Sequence, residues 1–546
     1  MKRKAVAAVL TAVMVASMFT GCGSDNGSSS AKSASAASAA SAANDTVDED
    51  GKVNGIMYQE GLPLVDEGDY TFSIFCDDSS ESGEFIMLDE FKKQTNVDVD
   101  LKIYPYETAT ERLNLDLNSG DYADVIGGWT LSDNAILTYG VNQGVFIPLE
   151  DYFEKYCPNI SAILDLPGVR EKMTAPDGHI YTIPYVCADT TVGYSPYINT
   201  KWLENVGMSM PTTTDEFEAV LKAFKEQDAN GNGDASDEIP FSTDPNNKHI
   251  EAMAGYFGLP MNKLGIAIQN EKVVYGGVSD TYREFLSWFH KLYAEGLVDV
   301  ELYTQDSSTW EGKGNQDLYG VSIAYGSNEF TGIPAAEERG DFDSMPVLNT
   351  DKGGIWLRDT EGFSVYRTQA VITNKAEHPE IICRWFDNAF ALENGIGCNR
   401  GPVGVIVNKE DDGYHAIDTT TLSEEDQEKY SWGNLWPQSL PKYLPVDFEF
   451  VEEHPMYDEK KATEEAYEAN LTKEIIPSYW IDLDKIDTFS DTNTAIKDFF
   501  EQQQAQFVCG ELDIDNDADW QAYVDGMYSL GLEDWVATQG IEEIAK

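Results

Sequence analysis

Apolar and polar positions repeat at spacings that change abruptly along the chain, and the changes mark its elements. TFSIFC (Thr71–Cys76) is apolar at four of six positions, three of them consecutive, and reads as a buried strand. Glu84 to Gln94 has helical spacing, VDVDLKIY (Val97–Tyr104) reads as a second strand, and Thr108 to Asn118 as a helix. ADVIGG (Ala123–Gly128) is a third short strand ending at Trp129, followed by a helix over Leu131 to Tyr139 and the turn FIPLEDYF (Phe146–Phe153). Further on, Phe217, Val220, Leu221 and Phe224 share one face of a helix over Thr213 to Gln227, with Thr214 as its N-cap. Tyr282 to Glu295 is helical, GVSIAY (Gly320–Tyr325) and QAVITN (Gln369–Asn374) are strands, and Pro379 to Glu393 is a helix. The end of the chain is helical near 460–473, 492–507 and 517–545. Strands alternating with helices predict an α/β fold with a mostly parallel sheet, whose ligands lie beyond the carboxyl ends of its strands. Trp129 falls at such an end.

The first 58 residues follow another rule. Residues 1–21 have a basic start, Lys2-Arg3-Lys4, and an apolar run from Ala5 to Phe19, too short and wrongly flanked for a spanning helix. The run ends in Phe19-Thr20-Gly21-Cys22, which resembles the bacterial lipobox, with Phe19 where leucine is usual. Cleavage there leaves Cys22 as a lipid-carrying N-terminus, acylated with palmitate-type chains, and two chains hold a protein stably at a membrane. Residues 22–58 are Ser/Ala/Gly-rich and then acidic, too poor in apolar residues to offset ordering, and read as a disordered tether.

Charge and cysteine usage narrow the partners. A chain of 546 residues suits two large lobes or about three domains. Its formal net charge of −59 repels phosphate backbones, which excludes nucleic acid and favours a soluble monomer. Seven scattered cysteines and six scattered histidines show no zinc-ligand spacing. There is no HExxH, G-x-S-x-G, P-loop or G-x-G-x-x-G, so no hydrolytic or nucleotide motif points to an enzyme.

One stretch carries metal chemistry. DANGNGDASDEIPF (Asp228–Phe241) places oxygen-bearing side chains at every second position, Asp228, Asn230, Asn232 and Asp234, with Gly231 and Gly233 between them. Ca²⁺ needs six to eight oxygens, and the curl that gathers them requires glycine. The pattern matches the first half of an EF-hand loop and departs at its end, where position 12 is Ile239 and the acids are Asp237 and Glu238. Asp228, Asn230, Asn232, Asp237 and Glu238 are the expected side-chain ligands, with Asp234 offering its carbonyl. The alternative is a solvated acidic turn. DIDNDADW (Asp513–Trp520) also alternates acids, but its position reads as a helix N-terminus.

In order along the chain, SGDYADVI (Ser119–Ile126), GVFIPLEDYF (Gly144–Phe153), DGHIYTIP (Asp177–Pro184), INTKWLENVG (Ile198–Gly207), the calcium stretch with its helix (Thr212–Pro240), YAEGLVDVELYTQD (Tyr293–Asp306) and DWQAYVDGMYSLGLEDW (Asp519–Trp535) resemble the family 1 extracellular solute-binding proteins of bacterial ABC importers, in particular the calcium-loop lipoproteins related to alginate- and oligosaccharide-binding proteins. The resemblance covers about residue 70 to the end. It implies a type II periplasmic-binding-protein-like fold of two discontinuous α/β lobes, joined by a hinge around a ligand cleft. The lobes are expected at 59–190 with 345–430 and at 191–344 with 431–546. It also implies delivery of the solute to an ABC permease from the extracytoplasmic face of the cell membrane, a structural Ca²⁺, and no catalysis.

A carbohydrate site needs flat aromatic rings and planar polar groups. Trp129, Trp310 (TQDSSTWEGKGN), Trp356 and Arg358 (GGIWLRD), and Trp432 and Trp436 (YSWGNLWPQS) lie in Gly/Asn/Ser-rich segments, and Tyr185 at the expected hinge. These seven are the candidate ligand contacts. Two other readings stand beside an oligosaccharide carrier: the same fold holding an oligopeptide, and a surface-anchored glycoside hydrolase.

Overall fold

The structure is a computed structural model that describes residues 45–78, 84–244, 249–332, 341–451 and 455–545. The leader 1–21 and Cys22 lie outside the described residues, as does most of the expected tether. The described residues belong to one compact unit, and no helix among them is long and apolar enough to cross a membrane.

Two sheets organise the fold. In the first the strand order is Ala370–Ile372, Val125–Gly127, Tyr70–Asp77, Val97–Tyr104, all parallel except the Ala370–Ile372 edge. The central strand splits its side chains by the period of two. Phe72, Ile74 and Cys76 enter one core with Phe91, Trp385 and Trp436, while Phe75 enters another with Ala109, Leu113 and Leu117 of the helix Tyr106–Ser119. Val125 and Ile126 divide in the same way, which is why this segment is apolar throughout.

The second sheet has the order Phe342–Ser344, Ser195–Asn199, Tyr319–Ala324, Ile239–Thr243. Only its last pair is parallel, so the expectation of a mostly parallel sheet fits the first sheet and not this one. The reversed strand, Ser195–Asn199, enters directly from the first lobe and not after a helical crossover. The helix Thr214–Glu226 buries Phe217, Val220, Leu221 and Phe224. Its N-cap is Thr213, one residue before the expected Thr214, and the Thr213 hydroxyl accepts the Glu216 N–H at 3.2 Å.

Among the described residues, the chain crosses from one core to the other at three places before its C-terminal region. The strand Tyr185–Ala188 leaves the first lobe and pairs antiparallel with Phe363–Tyr366, which returns to it. The third passage lies between Leu440 in the first core and Tyr467 in the second. Two expected boundaries shift accordingly. Met345, Val347, Leu348 and Trp356 pack in the second core, and Leu440 and Trp436 in the first.

The C-terminal region is also less one-sided than expected. The Trp480 indole donates to the Lys172 carbonyl at 3.1 Å, and Ile481 and Ile486 pack on Leu137 of the first lobe. From there the 24-residue helix Ile486–Cys509, about 36 Å long, carries Phe500, Phe507 and Val508 into the second core.

Residues 45–58, expected as tether, pack on the first lobe. Val53 and Met57 are fully buried, and Asp45 accepts the Tyr156 hydroxyl at 2.8 Å. Val53 and Met57, with Ile56 packed against the same core, pin this acidic run. The Leu131 to Tyr139 helix begins at Asp133 and turns π-helical over Ile136–Asn142. The stretch 517–545 is broken into the helices Asp517–Ser529 and Leu532–Thr538 by Gly531 at φ 91°.

Candidate functional site

The carboxyl end of the strand Tyr70–Asp77 holds two tryptophan-bearing loops. The buried Asp77 carboxylate accepts the backbone N–H of Trp129 at 2.9 Å and of Thr130 at 2.6 Å. Gly128, at φ 136°, allows this approach, since a Cβ there would lie 2.3 Å from Asp77 Oδ1. Asp78 accepts the Gln438 N–H at 2.7 Å, and Gln438 donates its amide to the Trp432 carbonyl at 2.9 Å. Trp129 is 46% exposed and Trp432 is 58% exposed, with Tyr106, 40% exposed, beside Asp77 and Asp78. Both indoles leave ring surface open to solvent while their backbones are anchored. Lys442 lies under the Trp432 ring, 5.1 Å from its centroid, and donates to Gln438 Oε1 at 2.7 Å. Burial pulls its pKa down to about 8.

The two hinge strands form the floor. Tyr185 faces Tyr366 and Cys187 faces Ser364 in register, so these four share one side of the ribbon, while Val186 on the other side is buried in the first core. Tyr185 and Tyr366 stack at 5.5 Å, and Trp129 meets Tyr366 edge-on at 5.3 Å. One step beyond the strand, Asp189 accepts the hydroxyls of Ser364 at 2.5 Å and Tyr325 at 3.2 Å.

The opposite wall comes from the second lobe. Tyr325 follows the strand Tyr319–Ala324, and Asp244 follows Ile239–Thr243, at the shared carboxyl end of a parallel pair. The Tyr194 ring stacks on His249 at 3.9 Å and meets Tyr325 edge-on at 6.1 Å. Lys460 lies 3.7 Å from the centroid of Tyr325 and donates to the Gly193 carbonyl at 2.8 Å.

Tyr185, Tyr194, His249, Tyr325 and Tyr366 are half-buried, as side chains lining a crevice are. Burial raises the Tyr185 and Tyr325 phenols, moves Tyr366 up to about 12, and drops His249 to about 4. Asp359, which accepts the Gly193 N–H at 2.7 Å, rises to about 6 through burial, with the nearby Asp189 charge adding to it. Burial raises Tyr194 as well, and the causes include Glu329, Asp244 and Tyr366. Tyr366 belongs to the hinge ribbon of the first lobe, so floor and far wall are neighbours.

Four of the expected contacts lie elsewhere. Trp310 is 2% exposed inside a helix, Ser307–Asn315, and its indole donates to Ser322 Oγ at 3.1 Å. Trp356 packs between Tyr256 and Tyr467 in the second core, and Trp436 stacks on Trp385 in the first. With both faces covered, none of the three has a ring face for a ligand. Arg358 donates to the Thr472 carbonyl at 3.2 Å and pairs with Glu468 at 3.4 Å, a structural contact between segments. Sequence reasoning missed Tyr194, His249, Tyr325 and Tyr366. Tyr325 was within reach, since it ends a strand just as Trp129 does.

Away from the cleft, Asp228–Glu238 closes on itself. Asn230 and Asn232 donate their amides to the two oxygens of Asp237 at 3.2 and 2.7 Å, and Asp228 Oδ2 accepts the Gly233 N–H at 3.0 Å. Gly231 and Gly233 have φ of 75° and 96°. Glu238 Oε1 accepts the Ala229 N–H at 2.8 Å. Asp228 Oδ1 and Glu238 Oε2 are buried with no hydrogen-bond donor. Two orphaned carboxylate oxygens in one loop suit a cation, and burial already raises the pKa of Glu238. The residues therefore fit a calcium ion. At DIDNDADW, by contrast, Asn516 caps the helix Asp517–Ser529, Arg283 pairs with Asp517 at 2.8 Å, and Ser287 donates to Asp515 at 3.0 Å. The six cysteines among the described residues are unpaired.

Comparison with known proteins gives three concordant results. Residues 78–395 match the family profile described as bacterial extracellular solute-binding protein. The chain is 32% identical over 411 residues to the fructooligosaccharide ABC transporter substrate-binding protein FusA of Streptococcus pneumoniae serotype 4, covering 73% of this chain and 70% of that one. The solved structure of S. pneumoniae FusA with kestose superposes with a TM-score of 0.76 at 26% identity, over 86% of this chain and 98% of that one. An EF-hand mutant of FusA in complex with fructo-nystose gives a TM-score of 0.73 at 27% identity, over 86% and 98%. These neighbours are two-lobed solute-binding proteins, the architecture read here from the two cores and the hinge ribbon.

Proposed function

The chain belongs to the bacterial extracellular solute-binding proteins, and from that premise we propose that it captures an oligosaccharide between its lobes and passes it unaltered to an ABC permease. The observation that carries the reading is the convergence of accessible aromatic rings, Trp129, Tyr185, Tyr366, Tyr194 and Tyr325, on one crevice at the carboxyl ends of both sheets. Sugar rings present C–H faces that such side chains cover, and Asp189, Glu329 and Asp359 accept their hydroxyls. The hinge ribbon lets the second lobe close on the first, which expels water and completes both halves of the site. The oligosaccharide relatives support a sugar over a peptide.

Two features belong to the same reading. Cys22 anchors the protein by lipid to the extracytoplasmic face of the membrane. The loop Asp228–Glu238 holds a calcium ion through Asp228, Asn230, Asn232, Asp237 and Glu238, with the Asp234 carbonyl, and the ion neutralises carboxylates that burial leaves unpaired.

The test is isothermal titration of the purified protein with a panel of oligosaccharides and oligopeptides, each product then analysed for cleavage. Saturable binding of a sugar with no new reducing ends is expected. Binding confined to peptides, or release of shorter sugars, overturns it.

A further inference from the structure

We infer that the cleft selects uncharged oligosaccharides and turns away those bearing carboxylates, such as uronate oligomers. This rests on the carbohydrate reading above and adds a charge rule to it. The accessible acids gather where the sugar would lie. Asp189 sits at the end of the hinge strand, Asp359 against Gly193, and Glu329 against the Tyr325 N–H at 2.9 Å. Asp244 accepts the Ser307 hydroxyl at 2.8 Å, and its charge bears on both Glu329 and Glu311. Asp189 acts on Asp359 in the same way, and Glu329, Asp189 and Asp359 all act on Lys460, so the acids share one neighbourhood.

The nearby cations offset these charges only in part: the Lys460 ammonium acts on Asp189, Glu329 and Asp359, one positive charge against Asp189, Asp244, Glu329 and Asp359. Lys460 is committed to the Gly193 carbonyl and the Tyr325 ring, and Lys442 to Gln438 and the Trp432 ring. Arg367 is spent on Asp133 at 2.8 and 2.5 Å and on the Tyr479 carbonyl at 2.8 Å. No guanidinium fork is left among them for the planar, two-point grip that holds a carboxylate best. A neutral sugar meets the same wall favourably, because each hydroxyl donates to a carboxylate oxygen. A uronate offers one more negative charge in a poorly screened crevice.

The experiment titrates the full chain with galacto-oligosaccharides and fructo-oligosaccharides, and with oligogalacturonates of matched length, at pH 7.5. The expected result is that whichever neutral series binds does so at least about tenfold more tightly than the oligogalacturonates. Raising salt from about 20 mM to about 500 mM narrows the gap, because screening weakens repulsion. The double variant Asp244→Asn/Glu329→Gln narrows it at low salt, with circular dichroism reporting that it folds. Equal or tighter binding of oligogalacturonates overturns the charge rule and leaves the carbohydrate reading standing. A gap unmoved by salt also overturns it. Binding of no sugar in either series removes both.

Discussion

Tyr185 and Tyr366 stand opposite each other in register on the two strands that cross between the lobes, their rings stacked at 5.5 Å. The pair belongs to the hinge and, in the proposed function, to the ligand surface as well, so ring position and lobe angle are coupled. Tyr366→Ala removes this stack and the edge-on contact with Trp129. Such pairs contribute about 0.5–1.5 kcal/mol each, so affinity for the oligosaccharide should fall by about tenfold. Fluorescence titration of the tryptophans measures it, and unchanged affinity removes Tyr366 from the site.

The tryptophans divide into two kinds that substitution should separate. Trp129→Ala and Trp432→Ala delete rings that are 46% and 58% exposed, and should weaken binding while leaving the melting temperature nearly unchanged. Trp436→Ala empties a space between Trp385 and Phe91 and should cost about 3–5 kcal/mol of stability. Thermal melts beside titrations on all three variants check the division. A destabilised Trp129→Ala protein contradicts it.

That division shows what the residues alone could and could not disclose. The segment around Trp310 has serine and glycine neighbours, the composition of a loop. Its Gly314 instead permits a close approach within a helix, since a Cβ there would lie 2.1 Å from the Phe330 carbonyl oxygen. Glycine signals either freedom or crowding, and only the fold distinguishes them. Regular periodicity was a surer guide, as at Phe217, Val220, Leu221 and Phe224, all buried. The wall of Tyr194, His249 and Tyr325 has no local pattern because its members come from three separate segments. The short strand Trp356–Arg358 pairs with Leu471–Ile475 across more than a hundred residues, a distance no window along the chain spans.

The loop Asp228–Glu238 should make stability depend on calcium. At a calcium concentration about a hundredfold above Kd, binding adds about 2.7 kcal/mol, so chelation should lower the melting temperature of the unsubstituted protein. Asp228→Ala removes a ligand and should melt at the chelated temperature with or without added calcium. Differential scanning calorimetry reads both. An unsubstituted protein indifferent to chelator eliminates the ion.

Asp359 should give the protein a pH signature. Burial, reinforced by Asp189 and opposed by the Gly193 N–H and by Lys460, raises its pKa from 3.8 to about 6. The folded state therefore holds this proton more tightly than the unfolded one between those values, and stability falls as pH rises from about 4 through about 6. Above about 6 the loss is complete and constant. Asp359→Asn keeps an oxygen for the Gly193 N–H and discards the charge, so it should be the more stable protein at pH 7.5 and match the unsubstituted one near pH 4. Because Asp359 retains accessible surface, solvent screening limits the gain to below about 1 kcal/mol. Urea unfolding of the two proteins across pH 4 to 8 resolves the curves, and a difference that does not shrink toward acid pH contradicts the role given to Asp359.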